Sequence, residues 1–106
     1  MSDVVDRVLD ALNAHDLERF VACYAEDATI EDGYDRVMAA GHAELRERYG
    51  PMFEQFPEVR VTALQRFAAG PFVVQHEKVT GRGEDEQHVA VYLVRDGRIA
   101  RERLLA

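Results

Sequence analysis

Two carboxylates, two histidines and three tyrosines of this chain are candidates for moving protons: Asp32 and Glu102, His76 and His88, and Tyr24, Tyr49 and Tyr92. Each lies among Val, Leu, Ile, Ala or Phe. Apolar surroundings raise the pKa of a carboxyl and lower that of an imidazole. Both then approach neutrality, where general acid–base catalysis works best. Other chemistries find less support. No HxxxH, HxH or CxxC spacing marks a metal site. The glycines at 81 and 83 belong to a polar loop and not to a dinucleotide or phosphate-binding fingerprint, so no cofactor is expected. Cys23 is alone, which rules out an intrachain disulfide and fits a reducing, cytoplasmic setting. Its apolar, helical surroundings read as a buried and inert thiol.

Bulk properties narrow the choice of partner. The 106 residues have room for one domain, expected to span 1–106, and 47% are apolar. A net charge of −7 repels a phosphate backbone, and the basic stretch Arg95, Arg98, Arg101, Arg103 is interleaved with Asp96 and Glu102. Nucleic acid is therefore not an expected partner. No apolar run approaches the roughly 20 residues that span a bilayer, so neither is a membrane. The start MSDVVDRVLD reads as an amphipathic helix, not as a signal peptide.

The elements that must position these groups follow from periodicity. Ser2 is the expected N-cap of a first helix with Val5, Val8, Leu9 and Leu12 on one face. Asn13-Ala14-His15 breaks the pattern. Asp16 then caps a second helix, with Leu17, Phe20, Val21 and Tyr24 inward and Glu26-Asp27 closing it. Ala28 to Asp32 reads as a short strand and Gly33 as a turn. A third helix starts near His42 with Leu45, Tyr49, Met52, Phe53 and Phe56 inward; Pro51 is expected to kink or split it. The period then becomes two, predicting strands over 58–69, 72–80, 88–94 and 98–105, the last two joined by the hairpin signal Asp96-Gly97. Helices first and an antiparallel meander last predict an α+β fold: a cone-shaped, curved antiparallel sheet packed on three N-terminal helices.

The run Asn13-Ala14-His15-Asp16-Leu17 … Phe20 … Tyr24-Ala25-Glu26-Asp27-Ala28-Thr29-Ile30-Glu31-Asp32 resembles the SnoaL-like, nuclear transport factor 2-like superfamily. So do Gly41-His42 … Leu45 … Tyr49 and Tyr92-Leu93-Val94-Arg95-Asp96-Gly97-Arg98-Ile99. The closest local resemblance is to ketosteroid isomerase, one of the handful of enzymes that define buried-carboxyl chemistry. That resemblance implies Asp32 as the general base and Tyr24 and Tyr49 as members of a hydrogen-bond network. The places of that family's two oxyanion donors hold Val8 and Ala90 here, which removes what is usually the largest catalytic contribution. The resemblance also implies a homodimer, for which strands 59–67 and 89–94, apolar on both faces, give a physical motive.

With Asp32 inward, the superfamily register points Phe72, Val74, His76 and Lys78 into the cone, with His88, Ala90 and Tyr92 on the next strand. Ala100, Glu102 and Leu104 follow on the last, provided that no β-bulge reverses the alternation. Asp32, His76 and Tyr49 are then the expected catalytic residues. Tyr24, Phe53, Phe72, Val74, His88, Tyr92 and Glu102 are the expected lining for a small apolar molecule. Each has a plainer reading. Asp32 serves equally as a cap for the turn at Gly33. His76 reads as a satisfied core or rim histidine and His88 as a solvated strand start. Tyr24 and Tyr49 read as core residues, Glu102 as a surface partner of its arginine neighbours, and His15 and His42 as caps or surface residues. Two functions remain open: an isomerase, dehydratase or cyclase acting on an apolar carbonyl compound, and a non-catalytic module that binds an apolar ligand or dimerises.

Overall fold

The computed structural model describes residues 3–106. Helix α1 (Val4–Asn13) buries Val4, Val5, Val8, Ala11 and Leu12, and its N-cap is Asp3, which accepts from the Asp6 backbone N–H. Ser2, the cap expected from sequence, lies outside the described residues. The chain turns at His15, with φ 55°, and Asp16 caps α2 (Leu17–Ala22) by accepting from the Arg19 N–H. This helix is shorter than its apolar spacing suggests. It stops at Cys23, and Tyr24 opens strand β1 (Tyr24–Asp32).

Strand β2 (Val37–Ala40), which has too few residues to show a period, pairs antiparallel with β1. Helix α3 (Gly41–Gln55) then runs through Pro51 as one helix. Pro51 and Glu47, whose carbonyl loses its helical partner, are both exposed, so water can take the freed oxygen. The meander follows as β3 (Arg60–Ala69), β4 (Phe72–Thr80), β5 (Glu86–Arg95) and β6 (Arg98–Leu105). Asp96 and Gly97 take φ of 54° and 74°, as the tight hairpin turn between β5 and β6 requires. Gly81 is fixed by space as well as by its φ of 87°: a Cβ there would collide with the Glu58 carbonyl.

The sheet order is β2-β1-β6-β5-β4-β3. Neighbours are antiparallel except β1 and β6, which run parallel. The curved, unclosed α+β sheet is therefore mixed and not wholly antiparallel, because β1 joins the meander beside its last strand. The helices cover one face. Two histidines at helix boundaries serve as ties between layers. His15 Nε2 donates to the Val59 carbonyl at 2.9 Å, and its ring stacks on Phe53 with centroids 5.2 Å apart. Asn13 donates to and accepts from the Val61 backbone, at 2.9 and 2.7 Å. The break after α1 is thus a side-chain clamp on the first residues of β3. His42 Nε2 donates to the Tyr24 carbonyl at 2.8 Å and ties α3 to β1.

Candidate active site

Cross-strand partners in an antiparallel pair share a face, so register decides what enters the interior. Strand β5 sends His88, Ala90 and Tyr92 inward, and β6 sends Glu102 and Leu104. Their partners on β4 are Glu77 opposite His88 and Gln75 opposite Ala90. The expected parity of β4 is therefore reversed. His76 pairs with Val89 on the outer face, as do Phe72 with Leu93 and Val74 with Val91. His76 Nε2 donates to Gln87 Oε1 at 2.7 Å, on the side of the sheet away from the interior cavity. Sequence pattern pointed the other way for a physical reason: on β4 the polar pair Gln75 and Glu77 is inside, and the apolar Phe72 and Val74 are outside.

The interior encloses a cavity of about 360 Å³ between the helices and the inner face of the sheet. That volume is in the range of small-molecule sites. Val8 and Leu12 of α1 form one wall, Phe20 and Tyr49 another, and Tyr24, Tyr92, Glu77, His88 and Glu102 the sheet side. Glu102 is only 5% exposed, and its Oε1 accepts a 2.6 Å hydrogen bond from the Tyr24 hydroxyl. Burial pushes its carboxyl up to about 7; the Tyr24 bond and the His88 charge oppose the shift, while Glu77 adds to it. Arg101 and Arg103, its sequence neighbours, point to the other face and hold Glu31.

Glu77 is 3% exposed and satisfied three times over. Its Oε1 accepts from His88 Nε2 at 2.8 Å; its Oε2 accepts from the Tyr92 hydroxyl at 2.6 Å and from Gln75 Nε2 at 2.7 Å. Gln75 in turn accepts from Arg66 Nε at 2.7 Å, and Arg66 is paired with Asp3 and Asp6 on α1. A buried carboxylate with this many donors orients the imidazole of His88 and fixes which nitrogen carries the proton. Burial, joined by the negative charge of Glu102, raises the phenols of Tyr24, Tyr49 and Tyr92, so all three remain donors. The Tyr49 hydroxyl has no hydrogen-bond partner among the described residues. Among those residues no fully buried side-chain oxygen is left unsatisfied, so this oxygen is open to the cavity.

Of the ten site residues expected from sequence, the structure brings Tyr24, Tyr49, His88, Tyr92 and Glu102 together around this cavity. The other five are corrected. Asp32 is the last residue of β1. It shares the parity of Ile30 and pairs with Leu104, but it lies beyond the cavity lining and its carboxylate is engaged in the turn. Its Oδ1 accepts from the Tyr34 and Arg36 N–H groups at 2.8 and 3.0 Å, and its Oδ2 from Arg36 Nε at 2.8 Å. The Arg36 guanidinium lowers its pKa. It caps the turn and is not placed to act as a base. Phe53 packs in the core against His15 and Phe20. Phe72, Val74 and His76 belong to the outer face of the sheet, for the reversal of β4 described above. Glu77 was missed altogether. Its signal was parity with Val73 and Val79, two apolar residues that also face in. Among the described residues no group of three or more His, Cys, Asp or Glu side chains is gathered to hold a metal ion.

Residues 5–102 match the SnoaL-like domain family. The chain belongs to this family. Solved structures agree on the fold. This SnoaL-like domain is similar to a cystatin-fold protein from Novosphingobium aromaticivorans, at 22% identity and a TM-score of 0.90, over 97% of this chain and 95% of that one. It is similar to a protein from Sinorhizobium meliloti named as a polyketide cyclase, at 23% identity and TM-score 0.85, over 98% and 94%. A protein from Kribbella flavida named as a ketosteroid isomerase matches at 24% identity and TM-score 0.78, over 96% of the SnoaL-like domain and 73% of that chain.

Proposed function

We propose that this SnoaL-like domain is an enzyme that transfers protons on a small, mostly apolar carbonyl compound, with Glu102 as its general base. One observation carries the reading: a sealed carboxyl with a pKa near 7, held by a single neutral donor, on the wall of a small-molecule cavity. A base poised there is half ionised at neutral pH and keeps its driving force for abstraction. Glu102 removes the proton from the carbon next to the carbonyl and is itself protonated; the electron pair moves onto the carbonyl oxygen. Tyr49, whose hydroxyl faces the cavity unpartnered, donates a hydrogen bond to that oxygen as it becomes negative. Protonated Glu102, or His88 held by Glu77, then returns a proton at another carbon or to a departing hydroxyl. Isomerisation and dehydration share these steps. Polyketide cyclase and ketosteroid isomerase, the names borne by two structural neighbours, denote chemistry of this general kind.

The test is proton abstraction from a β,γ-unsaturated ketone and from a benzisoxazole, comparing the wild type with Glu102→Gln. The amide keeps the size of the side chain and can still accept from Tyr24. Loss of about 10²–10⁴-fold in rate with the fold retained is expected. Equal rates in the two proteins would turn the reading to its rival, a non-catalytic module holding an apolar ligand. The reading includes a homodimer formed through the outer face of the sheet, supported by Phe67 and Phe72, 64% and 45% exposed, beside Val74, Val91 and Leu93. Sedimentation showing only a 12.0 kDa species at micromolar concentration would overturn that part.

A further inference from the structure

The cavity wall is acidic and apolar, but two arginines, Arg48 and Arg82, also line it. Both are exposed, so they stand at its mouth. Arg48 projects from α3, and Arg82 from the loop between β4 and β5. One guanidinium nitrogen of Arg82 rests on Met52 Sδ at 3.6 Å, one helical turn beyond Arg48, so the two cations border the same gap.

Their partners differ. Arg82 shares its other nitrogen with Glu86 at 2.9 Å. Arg48 makes no ion pair or hydrogen bond with any described residue. The acid one turn before it, Glu44, is already engaged, accepting from the Ala40 N–H at 2.9 Å. One turn after it stands Met52, and Leu45 and Pro51 occupy the remaining neighbouring positions on the helix. In a chain of net charge −7, an unengaged guanidinium beside a second one at a cavity mouth is a local reversal of sign. Tyr49 follows Arg48 directly on α3 and lines the same cavity.

We infer that the natural ligand is an organic acid, whose carboxylate docks on Arg48 and Arg82 at the mouth while its apolar body fills the cavity. A guanidinium fork matches a carboxylate in two parallel hydrogen bonds. Orientation follows from the same charges. Glu77 and Glu102 inside repel an anion, so the carboxylate stays outside and the carbonyl end meets Glu102. Size fits as well: a cavity of about 360 Å³ lies at the lower end of the range that takes small organic ligands.

This inference deepens the proposed function and rests on it for what the cavity does, but its test reads binding and not turnover. Calorimetry would compare 1-naphthylacetate with its methyl ester at low salt. The wild type is expected to bind the carboxylate about tenfold more tightly, roughly 1.4 kcal/mol. Arg48→Gln with Arg82→Gln removes that preference and leaves ester binding unchanged, which shows the cavity intact; Arg48→Glu reverses it. Equal affinity for acid and ester in the wild type, or a preference that survives loss of both guanidiniums, overturns the inference. A carboxylate preference in a protein lacking Glu102-dependent turnover supports this inference and removes the catalytic reading alone.

Discussion

Glu31 and Glu102 stand on adjacent parallel strands, one register step apart: Ile30 lies beside Glu102, and Glu31 beside Arg103. They face opposite sides of the sheet. On the outer side Glu31 accepts from Arg101 at 2.7 and 2.9 Å, from Arg103 at 2.9 Å and from Thr29 at 3.0 Å. Those guanidiniums hold its pKa down to about 2. On the inner side Glu102 has one neutral donor and apolar walls, and its pKa rises to about 7. The same residue type on the same pair of strands becomes a fixed anion or a carboxyl that titrates near neutrality according to which way the pleat points it.

Exchanging the two carboxyls one at a time breaks or sharpens that contrast. The largest effect expected is on rate. Glu102→Gln loses about 10²–10⁴-fold in proton abstraction, whereas Glu31→Gln keeps the wild-type rate. The wild-type kcat/KM should rise about tenfold per pH unit below 7 and level off above it, as the Glu102 carboxyl ionises. A profile that is flat from pH 5 to 8 would remove Glu102 from the mechanism.

Stability should change next. The folded pKa of Glu102 is raised above its ordinary 4.5, so the folded state holds a proton that the unfolded chain releases. Its contribution favours folding below about pH 4.5 and is lost as pH rises towards 7, an effect on the order of 3 kcal/mol at most. Glu102→Gln should therefore melt above the wild type at pH 8 and alongside it at pH 5. Glu31 has the opposite sign. Its stabilisation is present above pH 4.5 and fades as pH falls through about 2. Because its arginine partners are half-exposed, Glu31→Gln should cost only about 1 kcal/mol at pH 7 in a thermal melt, and nothing near pH 2. Smallest of all is Asp32→Asn, which should lower the melting temperature slightly through loss of its Arg36 pair and leave the rate unchanged; a lost rate would restore Asp32 as the base.

The architecture was legible where apolar spacing and turn chemistry agree. The face of α1, the cap at Asp16, the hairpin at Asp96-Gly97 and the strands at 72–80 and 98–105 all stand where the pattern places them. The site was legible on β5 and at the end of β6, where Glu102 and Leu104 face inward as expected. Nearer the turn, a register shift between Ile99 and Arg101 breaks the period of two, and Ala100, expected inward, does not line the cavity. It failed on β4, where the usual rule that apolar residues face inward is inverted. Gln75 and Glu77 are inside because the cavity supplies donors for them, and Phe72 and Val74 are outside on a face with no cover within this chain. Tyr24 was assigned to a helix because α2, at six residues, is too short to show where its period stops. At Asp32 residue type alone does not separate a base from a cap. The Arg36 guanidinium and the two backbone N–H groups that bind its carboxylate decide that.

The bond that sets the character of Glu102 joins residues 78 positions apart. Strand β6 lies between β1 and β5, so without it the hairpin of β1 and β2 shares no hydrogen-bonded edge with the meander of β3 to β5. Those two parts can each assemble from local contacts. Inserting β6 closes the long loop from β1, the step with the greatest entropic cost and therefore a slow one. The cavity is consequently expected to form late in folding, so that recovery of ligand binding after dilution from denaturant would report completion of the whole sheet.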